Sequence, residues 1–191
     1  MSFDEQTTAA RLAHSQLLDR FLELQAENLE RLAFWCAGCL RQGGKLLLFG
    51  NGGSAAQAQH LAAEFVGQFG RPRQALAAVA LTGDGAVTSG IGNDSEFAKI
   101  FSRQIEALGN RDDLALAFST TGLSPNVVEG LRTARSVGLR TAALLGRDGG
   151  PAVDEVDLAV VVPGEDTARI QEIHLFAAHL LCERVEHLLE D

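Results

Sequence analysis

Residues 45–69 read KLLLFGNGGSAAQAQHLAAEFVGQF and contain the pattern that decides the fold. A mostly apolar run of strand length at 45–49 leads into a glycine-rich turn at 50–53. From Ser54, the expected N-cap, small and apolar residues follow over a helix-length segment, 54–69. A strand that passes through such a turn directly into a helix is the repeating unit of a parallel α/β sheet.

The same alternation continues toward the C-terminus. Further strands are predicted at 76–81, 114–118, 141–145 and 158–162, and helices at 95–108, 124–137, 152–156 and 166–189. Ser95 and Ser124 are expected N-caps, and Gly70 is expected to end the first helix of the series. The strand segments are continuously apolar, as strands are when both faces of a sheet are covered. We therefore predict a five-stranded parallel sheet with helices on both faces.

The N-terminal part of the chain has a different pattern. Apolar side chains recur at helical spacing from Thr7 to about Leu40, and the apolar stripe is wider than one core face needs. Such a helix is expected to pack on its own domain and on a neighbouring subunit. We divide the chain into a helical oligomerisation segment, 1–42, and one α/β domain, 43–191, and expect a homo-oligomer.

Composition and charge exclude several classes of protein. The 191 residues carry a formal net charge of −9 and contain no run of Lys or Arg, which argues against a nucleic-acid partner. The longest apolar stretches, such as 75–81, are too short to span a membrane, and the N-terminus is too acidic for a signal peptide. Cys36, Cys39 and Cys182 form no disulfide framework, and the CxxC pair lies within a helical pattern. We expect a cytoplasmic protein with small core cysteines.

Two polar loops follow the first and third predicted strands, at the carboxyl edge of the sheet where ligands bind in such folds. The first, 50–53, is neither a dinucleotide fingerprint nor a Walker loop. The other, FSTTGLSPN at 118–126, places four hydroxyl groups before a helix. Hydroxyls and free amides at a helix N-terminus suit a phosphate monoester, although Ser and Thr also occur in ordinary capped turns.

Four side chains on two predicted helices are candidates for chemistry. His60 and Glu64 are four residues apart on one helix face, where they can share a metal or a substrate, although such pairs are more often surface pairs. Gln171 and His179 lie within about 80° around the last helix but roughly 12 Å apart along it. A single ion contacted by both requires side chains that lean together, or ligands from two subunits.

From about residue 44 onward the chain resembles the bacterial phosphoheptose (sedoheptulose 7-phosphate) isomerases of the sugar isomerase (SIS) superfamily. The resemblance lies in five motifs in order: GNGGSAAQAQHLAAE, IGNDSEFAKIFSRQ, STTGLSPNVV, DGG and DTARIQEIH. It implies a flavodoxin-like SIS fold, an aldose–ketose isomerase, a homotetramer with sites at subunit interfaces, and one zinc ion per subunit.

The resemblance also implies roles for individual residues. Glu64 and His179 correspond to the family's acid–base pair. The implied substrate contacts are Asn51, Gly52, Gly53, Glu64, Asn93, Asp94, Ser119, Thr120, Thr121, Ser124 and Gln171. The implied zinc ligands are His60, Glu64, Gln171 and His179. Because Gln is a poor zinc ligand, we expect a weaker and more open site than a structural one.

Departures from the family pattern bear more on the identity of the sugar than on the type of reaction. Thr121 stands where Ser is frequent, Leu123 where Asn is frequent, Ser95 where an aromatic is common, and residues 83–85 where many members have a hydroxyl-bearing turn. Two alternatives remain: a non-catalytic SIS protein that binds sugar phosphates or the replication initiator, and an enzyme acting on another phosphosugar. His174 is expected to be a supporting residue, and Arg169 to orient the phosphate or to pair with Asp166.

Overall fold

A computed structural model describes residues 1–190 and contains one parallel sheet at its centre. Its strands are ordered β2-β1-β3-β4-β5, and all four neighbouring pairs are parallel. The bounds are β1 Leu46–Gly50, β2 Ala78–Ala80, β3 Leu114–Ser119, β4 Arg140–Gly146 and β5 Leu158–Val162. The predicted five-stranded parallel sheet is confirmed.

Helices cover both faces of this sheet. They are α1 Phe3–Arg41, α2 Gly53–Val66, α3 Gly85–Asp94, α4 Ser102–Leu108, α5 Pro125–Val137 and α6 Thr167–Leu188. Side chains alternate along β1, so that Leu46 and Leu48 enter the core shared with α1, α2 and α6. Leu47 and Phe49 enter the opposite core, shared with α4 and α5. This three-layer arrangement leaves the carboxyl edge of the strands free for the two polar loops.

Helix α1 is a 39-residue helix that begins with a reciprocal capping box between Ser2 and Glu5. Its buried residues begin at Phe21, whereas Leu12 and Leu24 are exposed. The buried second half belongs to the same core as α6, and the division of the chain at residue 42 stays a prediction. In residues 1–190, no helix has the length and hydropathy needed to cross a membrane.

The cysteines are core residues, as predicted. Cys36, Cys39 and Cys182 are buried and free of disulfides. Burial raises the pKa of the Cys36 thiol, and burial together with nearby Asp113 raises the pKa of Cys39 to about 11. The CxxC pair is therefore held as neutral thiols.

The region between β2 and β3 differs from the expectation. The single helix predicted at 95–108 is wrong, because the chain forms α3, a 3-10 turn at Phe97–Lys99, and then α4. Asp84 caps α3 by accepting hydrogen bonds from the amides of Ala86 and Val87, and Ser95 ends this helix rather than starting one. No α3 residue is buried, and only Val87 and Ile91 are large apolar residues, so the apolar pattern that predicts helices is weak there.

Smaller corrections concern helix ends. The helix α2 begins at Gly53, one residue before Ser54, and ends at Val66 rather than near Gly70. The predicted helix at 152–156 is a 3-10 segment, Gly150–Glu155. Ser124 is the residue before α5, as expected, and Pro125 occupies the first turn.

Candidate active site

The loop after β1 lies under the side chain of Gln171. Gly52 has a positive φ of 55° and precedes α2. A Cβ atom at Gly53 would lie 2.5 Å from Gln171 Nε2, so any larger residue there would displace the Gln171 side-chain amide. Gln57 Nε2 donates to the Gln171 carbonyl at 2.6 Å. The amide-rich start of α2 and the predicted substrate residue Gln171 therefore meet in one place.

The loop after β3 is shaped by its own hydroxyl groups. Ser119 is buried and its Oγ accepts a hydrogen bond from the Gly122 amide at 2.9 Å, while Thr121 Oγ1 accepts from the Leu123 amide at 3.2 Å. Ser124 makes no side-chain capping bond to α5. The Val127 and Val128 amides donate to the Ser124 carbonyl, so the Ser124 hydroxyl at the N-terminus of α5 is the group left for a ligand.

An amide pair that the sequence analysis missed connects these two loops. Asn51 and Asn126 exchange reciprocal side-chain hydrogen bonds, both 2.8 Å long, and Asn126 is buried. Asn is a weak helix former. Its presence in the first turn of a predicted helix is the signal in the sequence that Asn126 has another role. Gln57 was also missed, although it shares a helix face with His60 and Glu64 at spacings of three and seven residues.

Helices α2 and α6 bring the predicted acid–base residues together. His60 Nε2 lies 2.9 Å from His179 Nε2 and 3.5 Å from Glu64 Oε1. The His60 and Glu64 side chains are 40% and 23% exposed, so a substrate can reach them. The ring of Phe69 lies 5.3 Å from the His179 ring, between centroids. One carboxylate and two imidazoles thus share an open position between α2 and α6.

Other predicted site residues are placed elsewhere. Asn93 and Asp94 are exposed at the end of α3, where Asn93 Nδ2 donates to Asp94 Oδ1 at 2.8 Å. Within residues 1–190, no hydrogen bond or ion pair joins them to the other predicted site residues. Gln171 lies near the start of α2, whereas His60 and Glu64 lie two to three turns further along that helix.

The implied metal site is not a formed coordination shell. Among residues 1–190, no three side chains of His, Cys, Asp or Glu are arranged to hold a metal ion. Two imidazole ligands of a tetrahedral zinc ion are about 3.3 Å apart, and the His60 and His179 Nε2 atoms are 2.9 Å apart. The donor types and the proximity of His60, Glu64 and His179 suit zinc after a small separation of the rings, whereas the Gln171 amide of the same chain lies at the start of α2. The metal set stays a prediction.

His174 and Arg169 support the position of α6. His174 is fully buried, its Nε2 donates to the Leu145 carbonyl at 3.0 Å, and burial lowers its pKa to about 4. Arg169 pairs with Glu172 at 2.6 Å and donates to the Ala10 carbonyl. The expected pairing with Asp166 is wrong, because that carboxylate caps α6 through the Ala168 amide.

We expect His174 to make stability depend on pH. Because its folded-state pKa is about 4 and the ordinary value is 6.5, the unfolded chain takes up a proton that the folded chain does not as pH falls between these values. The contribution of the neutral His174 to the free energy of unfolding is therefore present above pH 6.5 and is lost as pH falls toward 4. Between pH 7.5 and 5, the wild type should lose about 2 kcal/mol more of that free energy than His174→Gln, a variant that keeps a hydrogen-bond donor for Leu145. Urea unfolding at both pH values measures this, and an equal loss in both proteins contradicts it.

The chain matches a known protein family over most of its length. The SIS domain family model matches residues 12–146. A phosphoheptose isomerase of Roseiflexus sp. is 48% identical over 170 residues, covering 89% of this chain and 86% of the relative. That of Paramagnetospirillum magneticum is 51% identical over 160 residues, covering 84% and 83%.

A solved structure shows the same fold. The phosphoheptose isomerase of Neisseria gonorrhoeae superimposes with a TM-score of 0.92 at 37% identity, covering 97% of this chain and all of that one. The expected SIS fold is thereby confirmed. The sequence matches and the superposition show that this chain belongs to the SIS-domain family of phosphoheptose isomerases.

Proposed function

We propose that this chain converts sedoheptulose 7-phosphate into an aldose heptose 7-phosphate through an enediol. The observation that carries the proposal is the meeting of Glu64, His60 and His179 between α2 and α6, in a chain that also has two loops suited to a phosphorylated sugar. Relatives 41–51% identical to this chain are phosphoheptose isomerases. This favours the isomerase over a non-catalytic SIS protein or an enzyme acting on another phosphosugar.

The phosphate group is assigned to the loop after β3. Ser119, Thr120, Thr121 and Ser124 supply hydroxyls there, and the N-terminus of α5 adds the positive end of a helix dipole. Asn51, Gly52, Gly53 and Gln171 face the sugar oxygens from the neighbouring loop. Neutral donors of this kind bind a dianion without lysine, which agrees with the acidic composition of the chain.

The proton transfers are assigned to Glu64 and His179. Moving a carbonyl between C1 and C2 requires removal of a proton from carbon, a cis-enediol, and return of the proton to the adjacent carbon. Glu64 removes the proton from C1, exchanges it with solvent while the enediol is bound, and donates a proton to C2, and His179 moves a proton between the two oxygens. Each positioned group of this kind contributes about 10²- to 10⁴-fold in rate.

We further propose that His60, Glu64, Gln171 and His179 hold one zinc ion. When bound, the ion polarises the carbonyl and stabilises the enediolate. A homotetramer with sites between subunits and a cytoplasmic location, without nucleic-acid or membrane partners, complete the proposal. Exposed apolar side chains along α1, such as Leu12, Leu24 and Phe34, support an assembly of subunits.

A turnover assay tests the function and the metal separately. We expect NMR to show an aldose phosphate formed from sedoheptulose 7-phosphate, and no turnover of unphosphorylated sedoheptulose at the same concentration. If no aldose phosphate forms from sedoheptulose 7-phosphate, the proposed function is contradicted. Dialysis against a chelator should lower turnover, zinc should restore it, and a folded His60→Ala variant should retain less zinc. If metal analysis finds no zinc and the chelator changes nothing, the metal proposal fails and the isomerase stands.

A further inference from the structure

Arg73, in the segment that connects α2 to β2, forms hydrogen bonds with both α2 and α6. The Arg73 guanidinium donates hydrogen bonds to backbone carbonyls at and after the end of α2, those of Glu64, Phe65, Gly67 and Gln74, over 2.7 to 3.3 Å. The last carbonyls of a helix lack partners within the helix, and a cation there also complements the helix dipole. Arg73 therefore fixes the last turn of α2, including the backbone of Glu64.

The partner of Arg73 is a buried carboxylate on α6. Glu186 is 6% exposed, and its Oε1 accepts a hydrogen bond from Arg73 Nε at 2.7 Å. It also accepts from the amides of Phe69 and Gly70 at 3.2 and 3.1 Å. Burial alone would raise the pKa of Glu186, but these hydrogen bonds outweigh it and lower that pKa. The carboxylate is thus a charged anchor for the whole segment.

The Arg73–Glu186 ion pair is connected to both members of the acid–base pair, Glu64 and His179. Glu186 follows His179 by seven residues, two turns along the same face of α6. The segment it holds places the Phe69 ring against the His179 ring. One ion pair therefore joins the end of α2 that carries Glu64 to the face of α6 that carries His179.

We propose that Arg73 and Glu186 are positioning residues that set the separation of the Glu64 carboxylate and the His179 imidazole. The inference rests on the proposed isomerase function. Neither residue belongs to the loops assigned to the phosphate or the sugar, so their loss should affect the chemical step rather than binding. A displacement of about 1 Å between reacting groups can cost on the order of 100-fold in rate.

Removing both charges together is the central experiment, because a single substitution leaves the other charge buried without a partner. In Arg73→Gln/Glu186→Gln we expect kcat for sedoheptulose 7-phosphate to fall by about 10- to 100-fold and KM to stay within about threefold. Arg73→Lys, which keeps the charge but loses the forked donor, should show an intermediate kcat. Circular dichroism identifies variants that are folded.

Arg71→Gln is the matched control, since Arg71 lies in the same segment but pairs with the exposed Glu190, just after the end of α6. Its kcat should stay within about twofold of the wild type. An unchanged kcat in folded Arg73 variants, a loss confined to KM, or an equal loss in Arg71→Gln overturns the proposal.

A readout without turnover separates this inference from the proposed function. In protein labelled with ¹⁵N-histidine, the His179 ring signals, assigned with His179→Gln, should shift in Arg73→Lys and not in Arg71→Gln. That result supports the positioning role whichever sugar the enzyme accepts. Unmoved His179 signals in both variants contradict it, even if the wild type isomerises the heptulose.

Discussion

Replacing Glu64 with Gln should lower kcat by about 10²- to 10⁴-fold while the sugar phosphate still binds. The amide has nearly the same shape as the carboxylate but cannot accept a proton from carbon. The groups assigned to the phosphate lie on the loop after β3, away from Glu64 on α2. Steady-state kinetics give kcat, and calorimetric titration of the variant gives Kd, which we expect to stay within about threefold of KM in the wild type.

The matched control for this substitution is Glu129→Gln. Glu129 lies on α5, is 41% exposed and pairs with Arg132 on the surface, so its loss should leave kcat unchanged within about twofold. Unchanged turnover in Glu64→Gln would remove Glu64 from the mechanism. Equal losses in both variants would show that the effect is not specific to the site.

Replacing Gly122 with Ala should damage both stability and phosphate binding. Gly122 has a φ of +63°, and a Cβ atom there would overlap the Gly149 carbonyl in the turn after β4. Its own amide holds the Ser119 hydroxyl, and its carbonyl accepts from the Ala152 amide. The loop after β3 must therefore move, and we expect a loss of more than about 3 kcal/mol in unfolding free energy and a KM raised by at least about tenfold.

Gly43→Ala separates backbone strain from this overlap. Gly43 also has a positive φ, +79°, but nothing lies within 4 Å of a Cβ atom there. We expect it to cost about 1 kcal/mol and to leave KM unchanged. Urea unfolding and steady-state kinetics on both variants measure the difference. If the two substitutions are equally costly, the packing of Gly122 against the turn after β4 does not hold the loop.

The sheet was predictable because its strands are buried on both faces. Leu114, Leu116 and Phe118 on one face alternate with Ala115 and Ala117 on the other, and all are fully buried, so the segment reads as one apolar run. Helix α3 was not predicted, because three glycines and the absence of buried residues leave only a weak apolar pattern. Its N-cap, Asp84, was the available signal.

The site was predictable only in part. Local spacing places His60 and Glu64 on one helix face, but the contact between His60 and His179 joins residues 119 positions apart. Resemblance to the isomerases suggested that pairing, and spacing along one helix did not. The roles of Asn126 and Arg73 were missed, since their partners are set by the packing of loops against helices. Contacts of this kind follow from tertiary structure rather than from local pattern.

The central claim is that a carboxylate on α2 and an imidazole on α6 isomerise the sugar by proton transfer through an enediol. The most direct measurement is the isotope content of the product formed from sedoheptulose 7-phosphate in deuterated water. We predict deuterium at C2 of the aldose product with the wild type, and its loss together with turnover in Glu64→Gln. An aldose product that forms at full rate without deuterium at C2 would contradict the account.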